Sequence, residues 1–256
     1  MKLSDKIIIY LQGEFARMGR DTAVIGISGG KDSAVVAALL AQAIGPANVH
    51  GVMMPNGEQK DISDSEQVIR ELGINGLIAN ISDQYEATIR TTQIASLCDG
   101  LASTKTGLAV SAEAKINVAP RLRMTKLYEV AQSLGAYGLH ACVAGTGNKA
   151  EAYVGYCTKW GDMACDINPI KDLWVHEVLQ VGDELGFFPS IIHKTPDDGL
   201  CGLTDEERLG FSYDDVYKAV TGAGEVEIGK LHRIARMHQV AQHKLNPIPY
   251  FKNSET

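Results

Sequence analysis

The sequence predicts an α/β protein built on a doubly wound, mainly parallel sheet with helices on both faces. Three observations predict it. Apolar runs at 22–27 (TAVIGI), 48–54 (NVHGVMM), 76–80 and 139–144 (LHACVA) alternate with segments of helical periodicity. The first run is β-branched with no polar interruption, the pattern of a strand buried on both faces of a parallel sheet. Glycine-rich polar turns fall where strands end, which is where open α/β sheets bind ligands.

Each element follows in order. Residues 2–18 place Leu3, Ile7, Leu11, Phe15 and Met18 on one side of an amphipathic helix, unlike a signal peptide. Strand 22–27 turns sharply at "SGGKDS" (28–33) into a helix over 33–44, where Ala34, Val35, Ala38, Leu39 and Ala41 cover the sheet. Strand 48–54 leads into "PNGEQKD" (55–61), and Asp61 caps a helix over 62–72. Strand 76–80 and helix 82–97 complete a βαβαβ series with right-handed crossovers. The pattern is lost over 98–116, read as a surface excursion. Helix 119–134, strand 139–144, helix 172–185 and helices near 212–220 and 225–241 finish what is expected to be one domain over residues 1–256.

Composition narrows the function classes. The chain of 256 residues is 45% hydrophobic, enough for a substantial core. Its formal charge of −7 and the lack of a basic stripe interleaved with aromatics argue against a nucleic-acid partner. No apolar run is long enough to span a membrane. Cys98, Cys142, Cys157, Cys165 and Cys201 contain no CxxC pair and read as reduced thiols in a cytoplasmic protein.

The stretch "ISGGKDSAVVAALL" (27–40) carries the chemistry. Gly29 and Gly30 permit positive φ and close approach of a ligand to the main chain. The helix start that follows offers unpaired N–H groups and a positive dipole end, which together make an anion site. The spacing is neither the GxxxxGK[ST] phosphate loop nor the GxGxxG fingerprint. Asp32 would be repelled by phosphate unless a cation lay between them, so the loop implies Mg²⁺.

"SGGKDS" resembles the SGGxDS loop of the ATP pyrophosphatases, which cleave ATP between its α and β phosphates. Three further blocks, "NVAPRLRMTKLYEVA" (117–131), "GTGNKAEAYVGYCTKWGDMACDINPI" (145–170) and "GLCGLTDEERLGFSYDDV" (199–216), resemble ammonia-dependent NAD⁺ synthetases in order and over most of the chain. The resemblance implies a Rossmann-like fold of the adenine nucleotide alpha-hydrolase type, and a homodimer that amidates deamido-NAD⁺ with ammonia through an adenylated intermediate. It implies ATP contacts at Gly26, Ile27, Ser28, Gly29, Gly30, Lys31, Asp32, Ser33 and Thr146, and Mg²⁺ shared by Asp32 and Glu151. For deamido-NAD⁺ it implies Arg121, Lys159, Asp166, His243 and Lys244, with Arg123 left to a salt bridge. Asp162, in "WGD", is the candidate for positioning or deprotonating ammonium, because a carboxylate attracts NH₄⁺.

Two positions depart from the family pattern: Val175 stands where an ATP-contacting lysine is common, and Asp197 where serine is common. Lys31 or Lys171 is the candidate to compensate. Another SGGxDS ATP pyrophosphatase and an inactive nucleotide-binding relative are the rival readings. No glutaminase domain is expected, so free ammonia is the expected nitrogen source. The glycine-rich, acidic segment 193–210 is expected to close as a lid over bound nucleotide.

Overall fold

The computed structural model describes residues 1–58, 62–91, 110–194 and 205–253. Four short strands, β1 (Thr22–Gly26), β2 (Val49–Met53), β3 (Asn75–Ile78) and β4 (Ala141–Ala144), form one sheet in the order β3-β2-β1-β4. All pairings are parallel: Ala23 lies opposite Val49 on one side and Cys142 on the other, and Met53 lies opposite Ile78. The chain winds outward from β1 through β2 to β3, then returns to lay β4 on the free side of β1. The order therefore reverses at β1, and the crevice beyond the carboxyl ends of β1 and β4 is the ligand-binding position of such sheets.

The helices are α1 (Leu3–Met18), α2 (Lys31–Ile44), α3 (Ile62–Leu72), α4 (Ser82–Thr91), α5 (Ala112–Leu134), α6 (Lys149–Val154), α7 (Val175–Leu185), α8 (Pro189–Ile192), α9 (Asp205–Leu209), α10 (Tyr213–Thr221) and α11 (Ile228–Leu245). Alternation along the strands sends side chains to both faces. Ala23, Ile25 and Val49 join Leu11, Phe15, Leu39, Val178 and Ile192 in a core with α1, α2, α7 and α8. Val24, Val52 and Val143 point the other way, onto Ala119 and Ala131 of α5. A third cluster, with Ala150, Val154, Trp174, Tyr213, Val216 and Ile234, joins α6, α10 and α11 beside the crevice. No helix among the described residues is long and apolar enough to cross a membrane.

The alternating order agrees with the sequence reading; several boundaries do not. The helix expected at 119 begins at Ala112, where Ser111 caps it by accepting the Ala114 N–H at 3.1 Å. Pro120 suits a first helical turn, where its missing N–H costs nothing, yet here it lies in the helix interior. Residues 112–116 of the expected surface excursion are thus ordered helix, and 98–109 of it lie outside the described residues, as do 92–97 of the helix expected over 82–97. The expected helix at 33 starts at Lys31 because Gly30 is its N-cap, and the one expected at 172 starts at Val175 because Trp174 is extended. Helices α6 and α9, six and five residues long, are too short to show a period. Asp61 and Asp197 lie outside the described residues, as does 195–204, most of the expected lid.

Candidate functional site

The phosphate-type loop is built by its own hydroxyls. Gly29 adopts φ +83°, which only glycine takes without strain, whereas Gly30 is extended at φ −94°. Ser33 Oγ accepts the Ser28 N–H at 3.3 Å, lies 3.0 Å from Ser28 Oγ and donates to the Gly30 carbonyl at 3.0 Å. Ser28 Oγ in turn accepts the Gly30 N–H at 3.2 Å. From α3, the buried Ser65 hydroxyl donates to the Ile27 carbonyl at 3.2 Å and fixes the end of β1. The first-turn N–H groups of α2 have no carbonyl one turn earlier to bond, so they face the crevice as anion donors.

Across the β1/β4 junction the second turn brings Glu151 to Asp32. Asn148, fully buried, caps α6 by accepting the Ala150 and Glu151 N–H groups at 3.0 and 3.1 Å. Its own N–H donates to Glu151 Oε2 at 3.0 Å, closing a capping box, and its side-chain amide donates to Asp32 Oδ1 at 3.3 Å. One side chain therefore ties the two motif carboxylates together. Burial first, and then the charge of Asp32, push the Glu151 carboxyl well above the ordinary carboxylate range. A carboxyl whose ionisation is opposed by burial and by a neighbouring carboxylate fits a divalent cation, which would relieve that opposition. Thr146 lies partly buried in the same turn.

A second group assembles where α11 ends. Arg121 Nε donates to the Lys159 carbonyl at 3.4 Å, and Lys159 Nζ donates to the His243 carbonyl at 2.5 Å. Lys244 Nζ donates to the carbonyls of Gly155 and Cys157 at 2.7 and 2.6 Å. Asp162 accepts the Thr158 N–H at 2.6 Å, and desolvation within its recess raises its carboxyl above the ordinary value. Asp166 stands apart: it accepts the Val143 N–H at 2.8 Å and the Tyr128 hydroxyl at 3.1 Å, beside an open hollow of about 600 Å³ on the outer face of α5.

Arg123 corrects the sequence reading. It forms no ion pair among the described residues; its Nε donates to the Met54 carbonyl at 3.1 Å, just beyond β2. One turn further along α5, Leu127 packs over Gly26 at the end of β1, so Arg123 overhangs the carboxyl edge of the sheet. Desolvation lowers its pKa, against the opposing charge of Asp162, so the guanidinium sits over the sheet edge with no ion pair among the described residues. Val175 packs against the cluster of Trp174 and Val216, so the position of the absent lysine serves the core. Asn148 was missed as well, although its place three residues before Glu151 is a capping-box signature.

The description "NAD synthase" belongs to the family model that matches residues 3–248. An NH₃-dependent NAD⁺ synthetase of Carboxydothermus hydrogenoformans is 34% identical over 94% of this chain and 93% of its own. An NMN synthetase from Francisella tularensis superposes with a TM-score of 0.82 at 32% identity, covering 98% of this chain and 97% of the other. An NH₃-dependent NAD synthetase from Campylobacter jejuni gives a TM-score of 0.75 at 23% identity, with 97% of each chain covered, and supports the fold.

Proposed function

The chain belongs to the NAD synthase family, whose reaction is the ATP-dependent amidation of deamido-NAD⁺ by ammonia, and we propose that the crevice between β1 and β4 is where this chain performs it. One observation carries this reading: the turns after these adjacent strands hold Asp32 and Glu151 together through Asn148. The loop 26–33 receives the triphosphate with its N–H groups and Lys31, and Thr146 completes the contact from the facing turn. Asp32 and Glu151 would hold Mg²⁺, which neutralises charge on the departing pyrophosphate when bound.

The substrate enters from the α11 side. Arg121, Lys159 and Lys244 supply cations for its phosphates, with His243 beside them, while Asp166 lies apart from that group, against Tyr128 of α5. A nicotinate carboxylate oxygen attacks the α phosphorus, and the bond to the β phosphate breaks. Arg123, overhanging the carboxyl ends of β1 and β2, is placed to steady an anion at that edge of the site. Ammonia then attacks the activated carbonyl carbon, its proton goes to Asp162, and AMP leaves. A carboxyl with raised pKa accepts that proton more readily than an ordinary one. One domain over 1–256 suffices for these steps, and we take its working form to be a homodimer.

A second substrate has a specific observation behind it, the TM-score of 0.82 to an NMN synthetase. Deamido-NMN presents the same nicotinate carboxylate, so the chemistry above applies unchanged. The test is to supply ATP and Mg²⁺ with deamido-NAD⁺ or deamido-NMN, and to follow pyrophosphate release and amide formation with ammonium or glutamine. Higher kcat/KM for deamido-NAD⁺ with ammonium supports the family reaction. A preference for deamido-NMN reassigns the substrate, and no pyrophosphate with either refutes the site.

A further inference from the structure

Lys31 fills the variable position of the SGGxDS loop. Its ammonium lies 2.9 Å from Asp32 Oδ2, with the two side chains only 11% and 18% exposed. Glu151 and Asp205 of α9 also act on it electrostatically, so three carboxylates share the one ammonium. A cation at the first helical position is disfavoured by the helix dipole, so the carboxylates and not α2 retain it there.

This contact cannot coexist comfortably with a metal. A Mg²⁺ bound to the same oxygen at about 2.1 Å would lie at most about 5 Å from an ammonium that kept its contact. Cations that close in a half-buried site repel strongly. One of the two has to leave the oxygen.

Resting on the reading of Asp32 and Glu151 as metal holders, we propose that Lys31 is a resident counter-cation of that pair, exchanged for the divalent ion only when a nucleoside triphosphate arrives to receive the displaced ammonium. The triphosphate gives the charge somewhere to go. Lys31 heads the helix whose N–H groups face the phosphates, and its flexible four-carbon stem swings from carboxylate to phosphate. Without nucleotide, metal entry strands a buried ammonium, so metal and nucleotide bind with reciprocal positive coupling. The arrangement also accounts for Val175, because the phosphate-seeking lysine stands on the loop instead of on α7.

The test is Mn²⁺ binding to the full chain, followed by the electron spin resonance of free Mn²⁺, with and without α,β-methylene-ATP. Wild type is expected to bind Mn²⁺ weakly alone and tightly with the nucleotide. Lys31→Met is expected to bind Mn²⁺ about tenfold more tightly than wild type without nucleotide, and to lose most of the coupling. Mn²⁺ affinity of Lys31→Met within about twofold of wild type would overturn the exchange. Should that variant fail to fold, the wild-type Lys31 ammonium resonance decides: it should move when Mg²⁺ and the analogue are added together and stay for Mg²⁺ alone. A shift with Mg²⁺ alone overturns the proposal. Failure of Mn²⁺ to bind wild type even with nucleotide overturns the underlying metal reading, a separable result.

Discussion

Asp32 and Glu151 were legible because each sits in a contiguous motif directly after an apolar run, so sequence position alone carried them to neighbouring strand ends. Asn148 and Arg123 became visible only in three dimensions: Arg123 depends on a carbonyl at Met54, in a distant part of the chain. Asp32→Asn and Glu151→Gln keep shape and remove charge. Each should cut pyrophosphate release by about 10² or more with the circular dichroism spectrum unchanged; near-normal turnover of either at saturating Mg²⁺ contradicts the assignment. Glu151→Gln carries a second expectation. A carboxyl whose folded pKa is raised binds more protons folded than unfolded, so its ionisation costs stability as pH rises above the ordinary carboxylate value. Glutamine retains the capping box and escapes that cost. In metal-free urea melts the variant should therefore gain about 1.4 kcal/mol or more at pH 8, the worth of one pKa unit. The gain should shrink toward pH 4.5, and a variant less stable than wild type at pH 8 would show that Glu151 is not strained by its surroundings.

The junction of α6 and α11 holds the side chains proposed to bind substrate where they are. Gly155 ends α6 at φ +68°, and a Cβ there would fall 2.3 Å from the Ala241 Cβ. That close approach brings α11, and with it His243 and Lys244, against the loop that carries Lys159. Gly186 ends α7 at a similar φ of +72° but faces open space. Gly186→Ala should cost about 1 kcal/mol, the backbone penalty alone, whereas Gly155→Ala should cost about 3 kcal/mol or more and raise the KM for the dinucleotide. Equal losses in thermal melts would mean that the α6–α11 contact contributes nothing. Such elements divide by how local their determinants are. The long amphipathic helices and buried strands announced themselves by period, while α6 and α9 are single short turns held by caps and neighbours. Pro120 misled because helix initiation and helix interior differ only in what lies upstream, and Ser111 supplies a cap eight residues before the expected start.

The α/β class was legible from alternation alone, but the strand order was not, since nothing local says that the fourth strand returns to the first. We expect a dimer assembled through α5, where Ile116 is half exposed, to appear in sedimentation at micromolar concentration; a fully active monomer would refute it. The strand order also has a kinetic side. β2 and β3 follow β1 by short crossovers, whereas Thr22 meets Ala141 only after most of the intervening chain has been placed. Closing so long a loop is slow, because its entropy is lost before any contact rewards it. Both halves of the crevice meet at that seam, so in refolding from urea a fluorescent ATP analogue should bind with the last phase, well after helical ellipticity returns; binding in the first phase would separate the site from the seam. If the site is as proposed, nascent chains paused before the fourth strand would carry the phosphate loop without Glu151, and topology would keep half-made protein from spending ATP.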